Sequence, residues 1–138
     1  MFVRHAVTVI CLSVSLFLSS LAGAFTLGKA DLKSTLNQPL RAEIRLSNTK
    51  GLSAAEIIVG LAPIAEFEKA ELGRVYFLND VKFKVALNNS GGGIVYLTSY
   101  KPVISPFLSF VMEIRWPEGK VIRAYNLLFE PLRVRGVD

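Results

Sequence analysis

The sequence predicts a mainly β domain, two antiparallel sheets packed face to face, with one short helix in the connections. Three observations predict it. Short runs alternate apolar with charged residues, as in Leu40–Leu46 and Val81–Leu87, the period-two pattern of strands that bury one face. Turn-forming clusters rich in Asn, Gly, Ser and Pro separate such runs at intervals of roughly 8–12 residues. Only one stretch, Pro63–Leu72, has helical spacing.

Taken in order, a first strand is expected near Ala30–Leu36, ended by Asn37-Gln38-Pro39, and a second over Leu40–Leu46. Asn48-Thr49-Lys50-Gly51 reads as a turn. Ser53-Ala54-Ala55-Glu56 has capping-box spacing, but the β-branched Ile57-Ile58-Val59 behind it limits the helix to one turn before a strand that ends near Leu61. In Pro63–Leu72, proline suits the first helical position, Ile64, Phe67 and Leu72 share a face, and Gly73 is placed to close the helix in the left-handed conformation. Val75–Leu78 and Val81–Leu87 read as strands. Asn88–Gly93 is a hairpin loop into a strand over Ile94–Thr98; without a following Lys-Ser/Thr pair and helix, its glycines are turn residues, not a phosphate cradle. Lys101–Pro106 is an extended connection, because its two prolines exclude helix and central strand.

Trp116-Pro117-Glu118-Gly119-Lys120 predicts a three-residue hairpin loop with a left-handed Gly119. That loop pairs Trp116 with Lys120, Ile114 with Ile122 and Glu113 with Arg123. Leu108, Phe110, Met112, Ile114, Ile122, Ala124 and Leu128 then line one face, and Val111, Tyr125, Leu127 and Phe129 the other. A second face this apolar calls for cover, expected from within the domain. About seven strands with this turn spacing define an immunoglobulin-like β-sandwich, with a small β-barrel as the alternative.

The amino terminus reads differently from the rest. Arg4, the apolar run Ala6–Leu18 and the small residues through Ala22-Gly23-Ala24 form a secretory signal, with cleavage expected after Ala24. Residues 1–24 are thus a signal peptide and residues 25–138 one periplasmic domain; an uncleaved membrane anchor is the alternative for the first segment. Ile10 stands before Cys11 where a lipoprotein signal needs a small residue. Cleavage leaves 114 of the 138 residues, a common single-domain length, able to bury roughly 65% of the unfolded surface. It also removes the only cysteine and the only histidine, Cys11 and His5. Disulfides, thiolate chemistry, histidine triads and nearly all transition-metal sites go with them, so no catalytic residue, metal or cofactor is expected. Fifteen basic and 11 acidic side chains remain, a net charge of +4, spread along the chain without the basic–aromatic clustering of a nucleic-acid binder.

Several segments resemble one family. Thr35–Ile44, Phe77–Phe83, Pro106–Phe110 and Glu113–Lys120, with Arg123-Ala124-Tyr125 just after, resemble the periplasmic amino-terminal domain of FimV/HubP-type proteins, in the same order and over about Phe25–Pro131. The resemblance implies a role in organising type IV pilus or secretion machinery. Typical members continue into a peptidoglycan-binding LysM module, a membrane span and an acidic cytoplasmic part; this sequence is expected to be a stand-alone version of the first domain.

The leading expectation is therefore a non-enzymatic interaction module whose partners are envelope proteins. Arg115, Trp116, Lys120 and Arg123 are its candidate contacts, since tryptophan and arginine are frequent binding anchors. Peptidoglycan binding through Tyr76, Tyr96, Tyr100 or Trp116 is the alternative. Glu66, Glu68, Glu71 and Asp80 could supply a hydrolytic carboxylate pair, but around a short helix they read as its solvated face.

Overall fold

A computed structural model describes residues 25–131. Its strands are β1 (Thr26–Leu32), β2 (Pro39–Ser47), β3 (Ile58–Leu61), β4 (Lys82–Leu87), β5 (Gly92–Pro102), β6 (Phe107–Trp116) and β7 (Gly119–Leu128), with one helix, α1 (Ile64–Lys69). Two antiparallel sheets form, in the orders β1-β2-β5-β4 and β3-β6-β7. That division of seven strands, first-second-fifth-fourth against third-sixth-seventh, is the constant-type immunoglobulin arrangement. The expected sandwich is the observed one.

The alternation seen in the sequence sets the two faces of the first sheet. Leu40, Ala42, Ile44 and Leu46 on β2 are buried, as are Val95 and Leu97 on β5, while Arg41 and Arg45 between them are exposed. From the second sheet, Leu108, Phe110, Met112, Ile114, Tyr125 and Leu127 complete the core. No cysteine joins the sheets, so the core relies on area: one buried leucine or phenylalanine is worth roughly 1.5–3 kcal/mol.

Several local expectations are corrected. The first strand lies earlier, at Thr26–Leu32, because Ser34 turns inward to accept the Arg41 amide and Asn37 takes a left-handed φ of 69° to turn the chain. Ser53 and Glu56 do form the capping box, around a single 3₁₀ turn. α1 stops at Lys69, and its C-terminal left-handed residue is Glu71 (φ 58°), not Gly73. The Leu72 amide bonds the Phe67 carbonyl and the Glu71 amide bonds that of Glu68, the paired bonds of a Schellman ending. Phe67 is buried, but Ile64 faces solvent. Val75–Leu78 is not a strand; Tyr76–Asp80 is a 3₁₀ turn. Its last residue accepts the Tyr100 and Lys101 amides at 2.8 Å each.

The largest correction is the last hairpin. Its loop has two residues, and Trp116 pairs with Gly119, Arg115 with Lys120, Ile114 with Val121, Glu113 with Ile122 and Met112 with Arg123. A one-residue slip sends every side chain of a strand to the other face. Val121, Arg123, Tyr125 and Leu127 therefore share the face of Leu108, Phe110, Met112 and Ile114, whereas Ala124 and Leu128, expected inside, are exposed. Two causes are visible. Gly119 is not among the left-handed residues, as a three-residue loop needs; the Trp116 ring lies over it, 3.3 Å from where a β-carbon would sit. The observed register also buries Tyr125, whose ring stacks on Phe110 at 5.7 Å, in place of a small Ala124. The second apolar face is thus covered mainly by the domain itself: Tyr125, Leu127 and Phe129 belong to the core.

Candidate functional site

The hairpin splits the expected contact residues. Arg115 and Lys120 stand opposite each other on the outer face, both exposed. The Arg115 Nε donates to Glu113 at 2.6 Å, which keeps that mostly buried carboxylate paired. Glu113 was expected to meet Arg123, but the slipped register sends Arg123 the other way. Its Nη1 donates to the carbonyls of Leu27 and Gly28, and its guanidinium carbon lies 5.1 Å from the centre of the Tyr125 ring. Trp116 is half-buried and meets the edge of Phe25, with ring centroids 4.4 Å apart. Trp116 and Arg123 thus serve packing between elements, while Arg115 and Lys120 reach open solvent. An open groove of about 400 Å³ runs along Arg115–Lys120 at the hairpin tip.

The opposite end of the sandwich is more apolar. Tyr76, Tyr100, Ile104, Phe107 and Leu128 are all exposed there, Tyr100 to 90% and Tyr76 to 80%. Phe107 and Leu128 are cross-strand partners at the end of the β6–β7 ladder farthest from the hairpin tip. Tyr76, Phe77, Asn79, Asp80, Lys101 and Ile104 line a groove of about 340 Å³. The Lys101 ammonium sits 5.8 Å above the Tyr76 ring. Asp80 anchors this end: amide donation from Lys101 holds its carboxyl below the usual range, against a smaller opposing effect of desolvation, and the Tyr100 amide adds to the lowering. Of the tyrosines considered for sugar stacking, Tyr76 and Tyr100 lie toward one end, Tyr76 in the groove beside Asp80 and Tyr100 with its amide on Asp80. Tyr96 stands mid-sheet between Glu43 and Lys84, and Trp116 lies at the far end.

The four carboxylates considered for catalysis do not converge. Glu66 pairs with Lys69, Glu68 is exposed on the helix, Glu71 ends it, and Asp80 is occupied by backbone amides. Among the described residues no group of three or more His, Cys, Asp or Glu side chains could hold a metal. Sequence reasoning missed Ile104, Phe107 and Leu128 as surface residues. The mistaken register had placed Leu128 in the core, and the correct one puts it beside Phe107.

Comparison with known proteins fits this architecture. Residues 25–132 match the model of the FimV N-terminal domain, an Ig-like domain. The chain belongs to the FimV N-terminal domain family. Over 119 residues it is 40% identical to the motility hub protein FimV of Pseudomonas aeruginosa strain PAO1, covering 86% of this chain and 13% of that protein. The FimV of strain UCBPP-PA14 matches with the same figures. The chain thus spans about an eighth of the length of these FimV relatives, in which an Ig-like domain is one part of a much longer protein.

Proposed function

We propose that residues 25–138 are a single exported domain acting as a non-enzymatic interaction module of the periplasm. In this reading it helps to organise type IV pilus or secretion machinery, and residues 1–24 are the signal that exports it, removed after Ala24. The signal falls outside the described residues and rests on its charge and hydropathy pattern. The observation that carries the interaction reading is the uncovered apolar end: five large apolar side chains, each more than 60% exposed, on a domain that fully buries residues of the same kind elsewhere. A relative described as a motility hub supports pilus components as the partners. Arg115 and Lys120 add a cationic contact at the hairpin tip; Trp116 and Arg123 hold that tip in shape.

The test is to express the whole chain with a C-terminal tag, fractionate the cells, read the new amino terminus and crosslink the partners for mass spectrometry. A chain starting at Phe25, found in the periplasm and joined to pilus or secretion components, is expected. A cytoplasmic precursor starting at Met1 contradicts export. A second reading, glycan binding, is favoured by the Tyr76 ring with Lys101 above it and Asp80 in the same groove. Retention of the protein on purified sacculi, lost in Tyr76→Ala, would put it ahead.

A further inference from the structure

The exposed edge of the first sheet, strand β4, has features that the interaction reading does not use. β4 pairs with β5 on one side, and among the described residues no backbone hydrogen bond reaches its other side. The neighbouring edge of the second sheet, β3, pairs among the described residues only with β6. Along β4, Lys82, Lys84 and Ala86 are exposed, and Phe83, Val85 and Leu87 are half-buried. β3 and the 3₁₀ turn Ala54–Glu56 lie alongside β4, but among the described residues they make no backbone hydrogen bond to it, and its inward apolar row is only half-buried.

Neither lysine has a salt bridge among the described residues; Lys82 lies in the field of Asp80, but that carboxylate is already engaged by two backbone amides. The register puts Arg41, Thr98 and Lys82 in one row across β2, β5 and β4, with Glu43, Tyr96 and Lys84 in the next. Arg41, also exposed, thus adds a third cation to the same surface.

An open edge accepts an extended strand through main-chain hydrogen bonds, and side chains at alternate positions choose which strand. Lysines on the edge exclude two candidates. A second copy of β4 laid alongside would bring lysine against lysine, and like charges directly opposite repel. The chain's own Leu132–Asp138, with Arg133 and Arg135 at alternate positions, would do the same. An acidic strand reverses the sign.

We propose that β4 is a docking edge for an extended segment of another protein in which acidic residues alternate with apolar ones. The acidic residues face Lys82 and Lys84, and the apolar ones extend the row of Phe83, Val85 and Leu87. The proposal rests on the interaction reading and specifies its partner by chemistry.

The test uses protein purified from cells expressing the whole chain, with three ten-residue probes: alternating Glu-Val, alternating Lys-Val, and five Glu followed by five Val. Affinity and residue-resolved amide protection are read together. The alternating Glu-Val peptide should bind, weaken with added salt and protect β4 amides. The Lys82→Glu, Lys84→Glu double variant should lose at least ten-fold in affinity for it and gain affinity for the Lys-Val peptide. Circular dichroism of the double variant should match the parent, because both side chains are exposed. Equal binding of the block peptide, protection confined to the Tyr76 end or to β7, or indifference to the double variant would each overturn the proposal. Partners crosslinked in cells through other surfaces, with β4 silent, would overturn strand docking alone; absence of any partner would overturn the interaction reading as well.

Discussion

Where β1 meets β7, Arg123 and Tyr125 reach from one sheet to carbonyls of the other, the Tyr125 hydroxyl donating to Gly28 at 3.0 Å and the Arg123 guanidinium to Leu27 and Gly28. Where β3 meets β4, no side-chain hydrogen bond or ion pair joins the two strands among the described residues. A two-sheet sandwich has four strand edges to protect from chance pairing. On the first flank, a register shift between Leu27 and Ala30 brings β1 to where β7 can hold its carbonyls. On the second, β3 and the Ala54–Glu56 turn lie alongside β4, exposed lysines do the protecting, and among the described residues no backbone hydrogen bond closes that side. The first solution contributes stability. The second leaves the edge available to a strand of opposite charge.

The largest expected effect sharpens that contrast. Phe110→Ala removes a buried ring stacked on Tyr125 and should cost about 3–5 kcal/mol in urea unfolding. Phe83→Ala on the open flank removes a half-buried ring and should cost less than half of that. Equal losses would erase the distinction between the flanks.

Next come the polar links. Arg123→Ala should cost about 1 kcal/mol and Tyr125→Phe about 1 kcal/mol, since each removes a hydrogen bond to a part-buried carbonyl. Burial raises the Tyr125 pKa, with the Arg123 charge and hydrogen bonding opposing it. The phenol therefore contributes stability that is complete below the unfolded-state value of about 10 and is lost as pH rises through the folded-state value. Alkaline titration of stability should be flatter in Tyr125→Phe than in the parent.

A gain is expected at Glu71, in the connection between β3 and β4. Glycine there relieves a left-handed backbone that suits no β-carbon, and Glu71→Gly should stabilise the domain by about 1 kcal/mol. The smallest effect concerns Asp80. Its carboxyl is held low mainly by amide donation, so its contribution is present above the unfolded-state value of about 3.9 and is lost as pH falls through the lower folded-state value. Asp80→Asn should lower stability slightly at neutral pH, where the carboxylate's contribution is present, and flatten the acid limb, where the parent loses it.

The sandwich was legible because period-two alternation reports burial directly: β2 and β4 fell where Leu40–Leu46 and Val81–Leu87 placed them. The family was legible from polar landmarks in order. Arg115, Trp116, Lys120 and Arg123 could be named from the sequence, but their division into two that point into open solvent and two whose side chains contact β1 or Phe25 could not. It depends on one residue of register, decided by ring packing between Trp116 and Gly119 and by the tertiary burial of Tyr125. Val75–Leu78 read as a strand because nothing local announces that Asp80 will bind amides twenty residues away and that Tyr76–Asp80 will form a 3₁₀ turn. The open edge of β4 was hidden for a similar reason. Alternation reveals a strand, but only the sheet order shows which strands lie at its edges.

One measurement tests the flank asymmetry most directly. A photo-crosslinking residue is placed in the whole chain in cells, at Ala86 on β4 in one strain and at Ala124 on β7 in another; both positions are exposed. The account predicts a specific adduct with another protein from Ala86, diminished by Lys82→Glu with Lys84→Glu, and none from Ala124. Adducts from Ala124 alone, or from Ala86 undiminished by the charge reversal, would contradict it.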